Sequence, residues 1–174
     1  DQRHVIFSQR NNLIKNNEIF KYSDDFLYEI IENLKLDKKK YLSNPKSVDL
    51  RIKLISIFGK SFDNNEIEEL IKLNDEDFGN KIKNKFDQKR KERINYLGND
   101  QVQEIEKRIF LQTIDLNWKL HIQYLEQLRQ VIGLRSYGQR DPLVEYKKEA
   151  FNLFENLLDK LKTDYITILL NLKV

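Results

Sequence analysis

"LQTIDLNWKLHIQYLEQLRQVI", residues 111–132, decides how the rest of the chain reads. Leu111, Ile114, Trp118, His121, Leu125, Leu128 and Ile132 follow one another at steps of 3, 4, 3, 4, 3 and 4. This spacing draws one stripe along an α-helix, a heptad seam in which only His121 is polar. No Pro or Gly interrupts the chain from Asp100 to Ile132. That is roughly 33 residues, or near 50 Å of helix at about 1.5 Å per residue. After "GLRSYGQRDP" (133–142) a second stripe answers the first, through Tyr146, Ala150, Leu153, Leu157, Leu161, Tyr165, Ile168 and Leu172. Its back-to-back steps of four depart from a strict heptad and would locally unwind a supercoil. Neither helix buries its stripe alone, and a short connector makes an antiparallel pair the simplest solution.

Upstream, the pattern is more broken. "QRHVIFSQRNNLIK" carries Val5, Ile6, Leu13 and Ile14 on a plausible helical face. Ser23 or Asp24 is expected to cap a second helix in which Phe26, Ile30, Ile31 and Leu34 repeat at helical spacing. "LDKKKYLSNP" reads as a polar linker, with Pro45 in the first turn of a third helix. Val48, Ile52, Ile55 and Phe58 are expected to line that helix's buried side, and Gly59 to end it. "NNEIEELIKL" reads as a short acidic helix, and "NDEDF" starts another, capped by Asp75, that carries Ile82, Phe86 and Ile94 to Leu97. The expected fold is all-α, a long antiparallel helical hairpin plus a small helical subdomain. Residues 1–17 form a first helix, 18–99 the subdomain, and 100–174 the hairpin, with its tip at 133–142.

Composition narrows the class. With 40% hydrophobic and 34% charged residues in 174, the chain suits a soluble, helix-rich protein able to bury a core. The net charge is only +3, and the whole excess lies before Gly98, which argues against a dedicated nucleic-acid binder. The absence of Cys removes disulfides, thiol nucleophiles and Cys-based zinc sites together. No apolar run approaches the roughly 18–20 residues of a membrane span. A chain that begins at Asp1 and has no Met reads as a piece of something longer.

Catalytic signatures are missing. "FGKSF" (58–62) matches the end of G-x-x-x-x-G-K-[ST], but the first glycine should fall at position 54, which is Leu54. His4 and His121 are the only histidines and are not at metal-ligand spacing; His121 reads as a hydrogen-bonded core or rim residue. The carboxylates of "NNEIEEL" and "NDEDF" lie near helix starts, where the dipole favours them. "DQKRKER" (87–93) reads as a solvated face. Nothing assembles a nucleophile, base and oxyanion donor, so this portion is not expected to be an enzyme.

Longer matches then accumulate. Leu111, Gln112, Thr113, Asp115, Trp118 and His121 fit L-Q-T-x-D-x-x-W-x-x-H. Leu128, Arg129, Gln130, Ile132, Leu134, Arg135, Tyr137, Gln139, Asp141 and Pro142 fit L-R-Q-x-I-x-L-R-x-Y-x-Q-x-D-P. Glu145, Tyr146, Glu149 and Phe151 fit E-Y-x-x-E-x-F, and "DQRHVIFSQRN" fits D-Q-R-x-x-I-Y-S-Q-R-N with Phe7 for Tyr. This ordered set resembles the SecA family, the ATP-driven motors of bacterial protein export. It covers residues 1 to about 13 and 108–174; at the tip Gly133, Ser136 and Gly138 replace the more familiar His, Gly and Ala.

The resemblance implies a fragment that couples ATP hydrolysis in absent motor domains to preprotein movement through the SecYEG channel. Tyr137, Arg135, Gln139 and Arg140 would contact preprotein or channel at the fingertip. A tyrosine offers wide amphipathic contact at low rotamer cost, and arginines pair with carboxylates or carbonyls. Arg129 and Gln130, one turn below, would make ATPase-regulatory contacts; Trp118, His121 and Pro142 would be structural. ATP and Mg would belong to the parent's motor domains, and zinc to a C-terminal tail, with no cofactor here. The partners would be SecYEG, preprotein and the rest of the motor, with no nucleic acid. The location would be cytoplasmic and peripheral to the inner membrane. Two other readings are a helical RNA- or protein-binding appendage using Lys38–Lys40 and Lys89–Arg93, and a coiled-coil dimerisation arm.

Overall fold

The computed structural model describes residues 2–15, 18–135 and 141–172. Among them are seven helices and no strand: α1 Gln2–Lys15, α2 Ile19–Ser43, α3 Leu50–Phe58, α4 Asn64–Lys72, α5 Asp75–Leu97, α6 Asn99–Arg135 and α7 Pro142–Asn171. They form two compact units, one of residues 1–16 with 110–161, the other of 17–109 with 162–174. The long helices α6 and α7 contribute to both.

In the first unit the seam is buried at Ile114, His121 and Ile132 of α6 and half-buried at Leu111, Trp118, Leu125 and Leu128. On α7 Ala150, Leu157 and Leu161 are buried as expected, with Phe154 buried beside a half-buried Leu153. Asn117 hydrogen-bonds to Lys160 and His121 stacks near Phe154, so numbers rise along α6 as they fall along α7, and the pair is antiparallel. Helix α1 lies antiparallel to α6 in the same way, through Arg10 to Asp115 and Gln2 to His121, and it buries Ile6.

The second unit departs locally from the sequence reading. Helix α2 runs straight through "LDKKKYLS" to Ser43, with Asn44 as its C-cap. Lysine is a good helix former, and Lys38 is buried, its ammonium 5.8 Å from the Phe78 ring centre and 3.4 Å from Asp75. Ser23, expected as a cap, sits inside α2 with its hydroxyl donating to the Ile19 carbonyl at 2.9 Å. Pro45 lies in a turn ahead of α3, and Asp49 is the N-cap, accepting from Ile52 N. The buried side of α3 is Leu50, Leu54, Ile57 and Phe58, while Ile52 and Ile55 are exposed. Gly59 does end the helix; a Cβ there would stand 2.4 Å from the Ile55 carbonyl oxygen. Helix α4 opens on a reciprocal capping box between Asp63 and Glu66. The N-cap of α5 is Asn74, accepting from Asp77 N at 2.8 Å, and Asp75 occupies the first turn. Gly98, at φ 91°, separates α5 from α6. At the end of α7 the stripe passes from Leu161 and Tyr165 to Leu169, leaving Ile168 43% exposed.

Candidate functional site

The tip region of the hairpin stands on a clamp around His121. This residue is 3% exposed, with Trp118 at 5.5 Å on its own helix and Phe154 at 5.8 Å on α7. Its Nε2 lies 2.8 Å from Oε1 of Gln2, whose amide nitrogen donates to the Ala150 carbonyl at 3.1 Å. The Gln2 oxygen is therefore the acceptor, and the neutral imidazole carries its proton on Nε2. Burial pushes the His121 pKa below its ordinary value, favouring that neutral form. One glutamine thus ties α1 to both long helices. Arg10 adds a second tie, through Nε to Asp115 at 3.1 Å. One turn below His121, Asn117 donates to the Thr113 carbonyl at 2.9 Å and accepts from Lys160 at 3.1 Å. A crevice of about 130 Å³ opens beside these groups, lined by Leu120, Tyr124, Leu153 and Leu157. In the seam His121 is buried and Trp118 is half-buried.

Toward the tip the surface changes character. Arg129 is exposed and pairs with Glu126 on its own helix, at 3.2 Å, and Gln130 is exposed beside it. Helix α6 continues three residues beyond the predicted end, through Gly133, to Arg135. Leu134 is 75% exposed, and Leu143 and Val144 are exposed at the start of α7. Pro142 is the first residue of α7, behind Asp141, whose carboxylate accepts from Leu143 N at 3.0 Å. Tyr137, Gln139 and Arg140 lie outside the described residues, as does the side chain of Arg135.

The second unit holds a buried polar cluster that sequence reasoning missed. Arg90, expected on a solvated face, is 7% exposed and grips Glu106 through two bonds, Nε to Oε2 at 3.1 Å and Nη2 to Oε1 at 2.9 Å. Its Nη1 donates to Asp24 at 2.8 Å, and the guanidinium lies against the rings of Phe20 and Phe86. Burial opposes this charge, but Glu106 and then Asp24 outweigh it and hold the Arg90 pKa above its ordinary value. The Ser23 hydroxyl meets Glu106 at 3.2 Å and the Tyr165 hydroxyl at 2.9 Å, and Tyr165 donates to the Glu106 carbonyl at 3.2 Å. Burial pushes the Tyr165 pKa up. Arg93 is also buried, its Nη1 donating to the Leu169 carbonyl at 3.1 Å, and burial lowers its pKa. With Lys38, Arg90 and Arg93 inside, both cationic runs proposed for RNA lose members to the core.

Residues 1–173 match the family model described as the SecA Wing and Scaffold domain. The chain belongs to the SecA wing and scaffold family. It is 62% identical over its full length to the protein translocase subunit SecA of Pelagibacter ubique, covering 20% of that relative. It is 36% identical over 165 residues to SecA 1 of Nitrobacter hamburgensis, covering 93% of this chain and 17% of the relative. To SecA of Caulobacter vibrioides it is 34% identical over 177 positions, covering all of this chain and 19% of the relative. The chain therefore spans about a fifth of the length of the relatives it matches. Gln2, Arg10, Asp115 and His121 all fall in the two stretches that carry the SecA resemblance, and the structure joins them to one another. Among the described residues no helix is long and apolar enough to cross a membrane.

Proposed function

We propose that this chain is the wing-and-scaffold portion of a protein-export motor, and that it transmits force instead of hydrolysing nucleotide. In this reading residues 1–17 close a scaffold helix, 18–99 form the wing, and 100–174 form a two-helix finger. The observation that carries it is the clamp of Gln2, His121, Ala150 and Phe154, within a chain matched over 1–173 to the SecA wing and scaffold model. A pair of helices locked to a third resists bending, and a lever needs that stiffness if motion at one end is to reach the other.

Tyr137, Arg135, Gln139 and Arg140 at the tip contact preprotein or the SecYEG channel in this proposal. Arg129 and Gln130, exposed one turn back, contact the motor and restrain its ATPase until both are engaged. ATP and Mg act in the parent's motor domains and zinc in its C-terminal tail; the whole assembly works at the cytoplasmic side of the inner membrane. The test is Tyr137→Ala in the full-length protein that contains this chain. Export of a preprotein into inverted membrane vesicles is expected to fail while the helical circular-dichroism signal is unchanged. Normal transport by the variant would refute the role given to the tip.

A further inference from the structure

Between α2 and α5, within the second unit, lies a groove of about 440 Å³. Leu27, Ile31 and Gly79 are buried at its floor, and Tyr28, 64% exposed, stands at its rim. A Cβ on Gly79 would come within 3.3 Å of both Ile31 Cγ2 and Lys35 Cε, so the glycine keeps this space open.

The charges at the groove are arranged, not scattered. Asp24 is held by Arg90 and Glu32 by Lys35. Asp25, Glu76 and, between their levels along the groove, Lys83 are exposed and have no ion pair among the described residues. Because Asp24 meets Arg90 and Lys38 meets Asp75, the two helices run antiparallel, which places Asp25 toward one end of the groove and Glu76 toward the other. From Asp25 to Lys35 the rise of α2 is about 15 Å, the length of roughly five extended residues.

We propose that this groove is a peptide-binding site for an extended segment of about five residues, apolar in its middle and carrying Lys or Arg at each end. The apolar side chains lie on Leu27 and Ile31 beneath Tyr28, and the cationic ends meet Asp25 and Glu76. Attraction between exposed charges of this kind fixes register and falls with salt. The inference stands on the wing alone and does not depend on the export reading.

The experiment measures fluorescence anisotropy of a labelled peptide containing Lys-Leu-Ala-Leu-Lys against the 174-residue chain at low salt. A second peptide carries Glu in place of Lys. Binding of the first peptide alone is expected, weakening as salt is raised. Asp25→Lys with Glu76→Lys should weaken it at least tenfold, and Tyr28→Ala severalfold, with circular dichroism unchanged. If the double reversal perturbs folding, Asp25→Asn with Glu76→Gln gives the same readout without added charge. No binding, equal binding of the Glu peptide, or undiminished affinity in the folded charge variants would each overturn the proposal.

Discussion

The imidazole of His121 and the side-chain amide of Gln2 are 119 positions apart in the chain and 2.8 Å apart in the fold. Nε2 carries a proton in either charge state, so the contact survives protonation, but burial disfavours the charged ring and depresses its pKa below 6.5. As pH falls, the unfolded chain therefore takes up this proton before the folded one does. The contribution to stability is complete above about pH 6.5 and is lost as pH falls from there through the folded-state value. Urea unfolding at pH 7.5 and 5.5 should show a larger drop for the native chain than for His121→Asn. Equal drops would mean that His121 does not contribute.

The Arg90–Glu106 pair supports a larger prediction. Removing Glu106 leaves the buried Arg90 guanidinium with only the half-exposed Asp24 as counterion. Glu106→Ala should cost about 3–5 kcal/mol in chemical denaturation. Replacing both residues, Arg90→Met with Glu106→Leu, should recover much of that loss, because no under-compensated guanidinium remains.

At the surface the expectation is small. The side chains of Arg10 and Asp115 are 33% and 57% exposed. A double-mutant cycle with alanine at both positions should return a coupling below about 1 kcal/mol. Raising the salt should shrink it further.

Asn74 offers a check on the helix start. Its side chain accepts from Asp77 N at 2.8 Å. Asn74→Ala should destabilise by about 1 kcal/mol, whereas Asn74→Asp should be close to neutral. Thermal melts of the three chains separate these outcomes.

The hairpin was legible because its signal is periodic and long: seven seam positions in α6 each repeat the same demand for burial. The end of α7 was less so, since Ile168 and Leu169 are adjacent apolar residues and only packing decides which turns inward. The start of α5 shifted by one residue because Asn74 and Asp75 are both good caps. In α2, "LDKKKYLS" read as a linker because its charges hid a helix whose Lys38 buries its stem. Arg90 and Arg93 were illegible for a different reason. Arg90 is completed by Glu106, beyond Gly98, and by Asp24, 66 positions away, and no local pattern announces partners so distant. At the candidate site, Trp118, His121 and Pro142 fall where the seam and the turn chemistry put them. Gln2 and Arg10 were visible only as letters in "DQRHVIFSQRN", because a helix with two long-range partners looks like any other amphipathic helix.

One last point concerns the order in which the pieces are made. Helix α1 leaves the ribosome before the other six helices, yet Arg10 finds Asp115 only after 105 further positions have been synthesised. At about 5–20 residues per second that interval is roughly 5–20 s. Throughout it Ile6 has no long helix to cover it, while α2 to α5 emerge and are free to collapse on one another. The first of the seven helices to be made thus waits longest for its partners.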